Sequence, residues 1–245
     1  MEIGKKVHRF NTCSSTNDLA KELAKKQAEQ GEAVVCGEQT KGKGTGRKTW
    51  YSIPGKGLYF SVILFPSRLD LSLLPLTASL AVKDTVLHEL NIEISLKWPN
   101  DLMYKTRKIG GILCESSFSG KTLNYSIIGI GINVRHKKHD FPEELRNSAG
   151  SLEMIHKRDI DIKKLLLASF HLMDEWYKVF LEGNDQKILR HYLKASYFRI
   201  GDELKGEAKG KMVCGLFKGL DKQGRIILGI NGKEKSFLSG EIHII

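Results

Sequence analysis

No run of about 18 apolar residues occurs in the chain, so no helix can be read as crossing a bilayer. The amino end, Met1 to Arg9, is polar and charged where a secretion signal needs an apolar stretch, and a cytoplasmic protein is expected. Cysteine is sparse: Cys13, Cys36, Cys114 and Cys214 form no CxxC pair and cluster with no histidine, which argues against a zinc site and a disulfide framework. The eight histidines also lack metal-ligand spacing, and no protein-bound metal centre is expected. Proline is scarce too, with all five by residue 142. No helix-turn-helix lead, zinc finger or RNP-type aromatic strand accompanies the net charge of +11, so that charge fits an acidic protein partner as well as it fits a nucleic acid.

What is present is ordinary globular material, 41% hydrophobic and 27% charged, in 245 residues, enough for one large domain and a small one. Alternation at Val7 to Phe10 predicts a short strand, and Ser15-Thr16-Asn17-Asp18 then starts a helix, with Ser15 and Asp18 at capping-box spacing. Ala33 to Gly37 and Gly57 to Phe65 read as strands, Asp70 to Leu90 as a buried helix with Pro75 in its first turn. Three strands follow at Ile94 to Trp98, Lys108 to Ser116 and Leu123 to Val134, then helices from Ile162 to Phe180 and Asp185 to Ala195. After Phe198 the texture changes: nine of the 24 glycines lie between Gly201 and Gly240, punctuating short apolar runs in the manner of a small all-β barrel.

Between the second and third predicted strands the chain reads Gln39-Thr-Lys-Gly-Lys-Gly-Thr-Gly-Arg-Lys-Thr-Trp50, with three glycines and four cations from Lys41 to Lys48 and no acid among them. Glycine lets backbone N–H groups turn toward a ligand and the cations add positive charge, so the loop suits an anion, most often a phosphate. It is not a Walker loop, which needs Gly-Lys-Ser/Thr opening a helix, because Arg47-Lys48-Thr49 runs into Trp50 and soon Pro54. It is not a Rossmann fingerprint either, since its glycines lie between strands and no acid is clearly placed for a ribose.

Further segments carry chemistry. In Lys97-Trp98-Pro99-Asn100-Asp101 a lysine can meet a carboxylate or phosphate, Asp101 can orient it or hold Mg²⁺, and Pro99 fixes a turn. Lys108-Ile109-Gly110-Gly111-Ile112-Leu113-Cys114-Glu115 and Gly129-Ile130-Gly131-Ile132-Asn133 set glycines inside apolar strands, marking bulges or the close approach of a ligand or another backbone.

In this order, Ser15-Thr16-Asn17, Gln39 to Trp50, Lys97 to Asp101, Lys108 to Leu113 and Gly129 to Asn133 resemble the motifs of the biotin protein ligase family, and Ser239-Gly240-Glu241 resembles its carboxy-terminal tail. The resemblance covers nearly the whole chain. It implies an α+β fold: a central mixed or antiparallel sheet with packed helices, class II synthetase-like, over residues 1–196, followed by a small SH3-like β-barrel over 197–245. It implies that ATP and biotin give biotinyl-5'-AMP and pyrophosphate, with Mg²⁺, and that biotin passes to a lysine of a biotin carboxyl carrier protein. Ser15, Thr16, Asn17 and Gln39 are then expected at the biotin ring. Lys43, Gly44 and Thr45 should line the carboxylate and phosphate, joined by Lys108, Gly110 and Gly111 toward biotin. Gly42, Trp50, Lys97, Asn100 and Asn133 belong with the adenylate, and Asp101 orients Lys108 or the incoming lysine, making Lys108, Asp101 and Lys43 the catalytic candidates.

The chain departs from the family where many members have Gly-Arg-Gly-Arg and it has Gly42-Lys43-Gly44-Thr45. Threonine cannot clamp phosphate with a planar fork, so a leakier adenylate is expected unless Lys41, Arg47 or Lys48 substitutes. With no helix-turn-helix before Ser15, a monofunctional ligase without DNA binding is expected. A homodimer through sheet edges and the absence of a membrane association complete the expectations. The rival readings are a lipoate or octanoate ligase or transferase of related fold and, from a different class, a basic RNA-binding protein. The loop Gln39 to Trp50 is expected to be disordered when empty and to close over substrate, excluding water from the anhydride.

Overall fold

The computed structural model describes residues 3–46, 48–208 and 210–245. In chain order its elements are β1 (Val7–Cys13), α1 (Thr16–Lys25), β2 (Ala33–Gln39), β3 (Gly57–Leu64), α2 (Leu74–Leu90), β4 (Ser95–Lys97), β5 (Asp101–Tyr104), β6 (Arg107–Ser119) and β7 (Thr122–Asn133). There follow α3 (Leu152–His156), α4 (Ile162–Leu181), α5 (Asp185–Lys194), β8 (Glu203–Ala208), β9 (Lys211–Leu220), β10 (Ile226–Ile230), β11 (Lys233–Phe237) and β12 (Glu241–Ile244). The first seven strands form one sheet in the order β1-β2-β3-β7-β6-β5-β4. Only β1 and β2 are parallel, with α1 as their crossover, so the sheet is mixed.

β3 is buried at every position because both faces of the sheet are covered, which is why it reads as a continuous apolar run instead of alternating. On one face Phe60 meets Phe170 of α4 edge-on, and α2 packs with α4 over the same core. On the other, Ile63, Val34 and Ile127 pack with Ala20 of α1. α2 is buried around most of its circumference, and its Thr77, Ser79 and Thr85 are tolerated because each hydroxyl returns a hydrogen bond to the carbonyl one turn earlier.

The elements differ from expectation in places. α2 starts at Leu74, later than Asp70, because Pro75 fits only a first turn and Asp70 instead accepts a hydrogen bond from the Ser72 N–H. β5 was not expected: its four residues are too short to show alternation, and Asp101 opens this strand instead of sitting in the turn. α3 is likewise too short for a helical period to show. Ser15 occupies the N-cap of α1 but makes no side-chain cap, and Asp18 forms no capping box because its carboxylate faces Lys43 at 2.6 Å and Lys21 at 3.7 Å.

The last five strands form an antiparallel sheet ordered β11-β10-β9-β8-β12. Its Leu204, Phe217, Ile226, Leu228 and Ile242 join the same apolar cluster as the large sheet and helices. At the seam, the Trp98 indole donates to the Gly224 carbonyl at 2.9 Å. Gly224 has φ +70°, and a Cβ there would stand 2.7 Å from Leu76 and 2.8 Å from Leu73, so the β9–β10 turn can dock on the start of α2 only as glycine.

Candidate active site

The glycine segment is folded as a hairpin, in contrast to the expected disorder. Gly44 N–H donates to Lys48 O (2.8 Å) and Trp50 N–H to Gly42 O (2.8 Å), while Thr40 and Lys41 N–H groups donate to Cys13 and Ser14 carbonyls. Side chains fasten it on three sides: Lys43 to Asp18 at 2.6 Å, Lys48 to Glu241 of β12, and Thr45 Oγ1 accepting from Asn100 Nδ2 at 3.0 Å. Arg47 lies outside the described residues. Beneath the hairpin is a cavity of about 50 Å³ whose walls come from the start of α1, the hairpin, the Pro99 turn, β6 and β7.

One end of this cavity is polar and rigid. Ser15, Thr16 and Asn17 are all buried, and Thr16 donates its N–H to Gln39 Oε1 at 2.8 Å. Ser61, wholly buried in β3, lies 2.8 Å from Thr16 Oγ1 and 2.6 Å from Asn17 Oδ1. Asn17 Nδ2 donates to Glu115 Oε2 at 2.8 Å and to the Leu113 carbonyl at 3.3 Å. Gly129 leaves room for this, since a Cβ there would collide with the Asn17 side chain.

The other end is cationic. Lys108 is ion-paired with Asp101 on the neighbouring strand, and its Nζ stands 5.7 Å from the Trp50 ring centre. Gly111 and Gly131 are register partners across β6 and β7. A Cβ on Gly131 would approach the Trp50 indole to 2.7 Å and one on Gly111 to 3.4 Å, so the paired glycines form a trough for the ring. Of the two readings open for these glycines, close approach holds between β6 and β7, whose register breaks only at Ser117/Phe118, while the β5–β6 register shifts beside Gly110, where Leu102 pairs with Gly110 and Met103 with Lys108. Trp50 Nε1 is buried without a hydrogen-bond partner, a donor left for whatever fills the cavity.

A polar, hydrogen-bonded end joined to a lysine-lined end under a basic glycine hairpin matches a known pattern. The family model described as the biotin/lipoate A/B protein ligase family matches residues 10–133. The chain belongs to this family. Among curated relatives, the bifunctional ligase/repressor BirA of Bacillus subtilis is 31% identical over 99% of this chain and 75% of its own length. The biotin--[acetyl-CoA-carboxylase] ligase of Mycobacterium tuberculosis is 26% identical over 94% of this chain and 85% of its own. Among solved structures, the biotin protein ligase from Aquifex aeolicus in complex with biotin and ATP superposes with a TM-score of 0.86 at 30% identity, covering 98% of this chain and all of that one.

Within this family member, the cavity brings together Ser15, Thr16, Asn17, Gln39, Lys43, Gly44, Thr45, Trp50, Asn100, Lys108 and Gly111. Asp101 stands behind Lys108, and Gly42 lines the outer side of the hairpin with Lys41, Lys48 and Glu115. Three expected residues are placed elsewhere. Gly110, adjacent to Gly111 on a strand, faces the opposite side, toward Leu102. Asn133 is buried and donates to the Gly150 carbonyl at 3.0 Å. Lys97 reaches His243 of β12 at 3.2 Å, and burial holds its ammonium below the usual lysine range. Asp18, Ser61 and Glu115 act on the site without having been among the expected site residues. Asp18 and Glu115 stand within or beside quoted motifs, whereas Ser61 is a lone serine in an apolar strand, a signal only in retrospect.

Of the four cysteines, none is in a disulfide, and Cys214 is exposed. Burial pushes the Cys114 thiol up to about 12, which disfavours its thiolate.

Proposed function

We propose that the chain is a biotin protein ligase that joins biotin and ATP into biotinyl-5'-AMP and passes biotin to a lysine of a biotin carboxyl carrier protein. The observation that carries this reading is one cavity lined both by Thr16, Asn17 and Gln39 and by Lys43 and Lys108. A cyclic urea needs fixed polar partners, and a carboxylate with a nucleotide phosphate needs positive charge. In the first step a biotin carboxylate oxygen attacks the α-phosphorus and pyrophosphate leaves, with Lys43 and Lys108 offsetting the charge on the pentavalent phosphate. In the second the acceptor amine attacks the acyl carbon and AMP leaves, with Asp101 placed to orient Lys108 or that amine.

Gly44, Thr45 and Gly111 let the backbone approach the carboxylate and phosphate, while Gly42 and Gly110 shape the hairpin and strand around them. Trp50 covers the adenylate and Asn100 supports the nucleotide from the cavity wall, while Lys97 and Asn133 stand outside the wall and act on it through the Pro99 turn and β7. Among the described residues no three metal-ligating side chains cluster. Mg²⁺ would come with the incoming ATP phosphates, and Asp101, beside Lys108, is a carboxylate that would help hold it. The domain boundary falls near residue 197, and we assign the five-stranded carboxy-terminal sheet an SH3-like barrel. A homodimer would form through the sheet edge at β1, since Leu96 of the opposite edge strand β4 is already bonded to Ala195 and Tyr197, and the ligase would work in the cytoplasm without DNA; among the described residues no helix is long and apolar enough to cross a membrane.

Lipoate and octanoate are the nearest rivals, because the family's description names both biotin and lipoate ligases. Against them stands the polar end of the cavity, where an apolar acyl chain offers Thr16, Asn17 and Gln39 no hydrogen-bonding group. Incubating the protein with ATP, Mg²⁺ and a biotin-acceptor domain should give pyrophosphate and labelled acceptor with biotin and not with lipoate. Lipoate-dependent release without biotin-dependent release would overturn the choice.

A further inference from the structure

Lys108 reaches the cavity only because β6 carries one residue more than β5 can pair. Asp101 is opposite Gly111 and Leu102 opposite Gly110, but Met103 is opposite Lys108, so Ile109 has no partner on β5. Side chains alternate along a strand, and Lys108, three residues from Gly111, would otherwise point to the other face. The extra residue returns it to the face of Asp101 and Gly111, where a Cβ on Gly111 would stand 3.6 Å from Lys108 Nζ. Ile109 meanwhile is wholly buried in the core.

On its other side the Lys108 main chain is not paired by β7, whose register with β6 begins at Gly110. Residues 148–150 take that place: Lys108 N–H donates to Ser148 O at 2.7 Å and Gly150 N–H to Lys108 O at 2.9 Å, a parallel bridge centred on Ala149. This short piece belongs to none of the strands and needs anchors of its own. Asn133 holds one end, donating to Gly150 O at 3.0 Å. Arg107 holds the other, its Nη1 donating to the carbonyls of Arg146 at 3.2 Å and Ala149 at 3.1 Å. A Cβ on Gly150 would meet Arg107 Cβ at 3.2 Å and Cδ at 3.4 Å, so the arginine stem runs close beneath that glycine. Arg107 is not among the residues lining the cavity.

We propose that Arg107 is a positioning residue for Lys108: it clamps residues 146–149 against β6, so that the bulge keeps one shape and the lysine stays aimed at the reacting carboxylate and phosphate. This rests on the ligase reading, in which Lys108 offsets charge on the pentavalent phosphate. Bonds from a guanidinium to carbonyls are charge-assisted and stronger than those of a neutral donor. Aim matters more to rate than to binding, because the charge that Lys108 meets grows in the transition state.

The test compares R107M, which keeps a stem beneath Gly150 and removes the donors, with K108A and the double variant. In the biotin-dependent exchange of pyrophosphate into ATP, R107M should lower kcat about a hundredfold, the scale of a reacting group displaced by about 1 Å, while KM for biotin moves less than about threefold. Calorimetric biotin affinity should hold within about the same factor. In the K108A background the same change should lower the residual exchange by less than about twofold, because a residue that acts through Lys108 has nothing left to aim. Full kcat in R107M, loss of its biotin binding, or a comparable further loss in the K108A background overturns the proposal and leaves the ligase reading standing. No exchange by the unaltered protein overturns both.

Discussion

Charge placement at single residues has consequences that run beyond the active site. Glu32 is 3% exposed and holds Lys6 at 2.9 Å, His8 at 2.7 Å and the Glu29 N–H at 2.8 Å, tying the lead-in to β1 to the loop before β2. Burial pushes its carboxyl upward, but the Glu29 N–H and the His8 and Lys6 side chains outweigh it and bring the pKa from 4.5 down to about 2. A carboxyl depressed on folding stabilises the protein fully above its unfolded value, and that contribution is lost as pH falls from 4.5 toward 2. E32Q should therefore cost roughly 2 kcal/mol at neutral pH, read by thermal or urea unfolding, and should flatten the loss of stability in that acid window. An unchanged acid limb would count against Glu32 as its source. None of this is legible in the sequence, where Glu32 is one acid in a charged stretch; only the return of β2 beside β1 brings its partners together.

At the scale of elements, the site depends on a pair of strands with glycines in register. Gly111 and Gly131 were legible as unusual residues in apolar strands, but whether they marked a bulge or a close approach was open, because a bulge and a trough have the same local sequence. Pairing across β6 and β7 decides it, since only then does Trp50 have a surface to lie on. G131A should force the indole out of the trough, lowering adenylate formation by about a hundredfold while the protein stays folded. Pyrophosphate exchange would read the loss, and tryptophan fluorescence would move to longer wavelength as the ring is wetted. Normal activity with unshifted emission would mean that the trough yields at no cost. The Thr45 position belongs to the same scale: where many family members have arginine, this chain has a hydroxyl that Asn100 holds from the Pro99 turn. The hairpin is thus fastened at its tip by a neutral contact, which a sequence motif alone presents only as a lost cation.

Across the whole molecule, the two sheets share one apolar cluster and meet at the glycine hairpin. Lys48 reaches Glu241, Lys97 reaches His243, and the Trp98 indole is bonded to Gly224, so three residues of the motif-bearing segments contact the carboxy-terminal sheet. The Lys48–Glu241 contact is exposed and contributes little stability, but the Trp98 contact is buried. Because the core is continuous, the protein should unfold in one calorimetric transition, and W98F should lower that transition by about 2 kcal/mol without splitting it. Two separable transitions would show that the sheets are independently stable.

The sequence alone determined the longer strands and helices, the family's motif order and the residue types at the site, because apolar periodicity and short motifs are local properties of a chain. It could not separate Gly110 from Gly111, set Lys97 and Asn133 outside the cavity, or bring Ser61 and Glu115 to Asn17. Those assignments depend on which face of a strand a residue takes and on which strands become neighbours, and long-range pairing decides both.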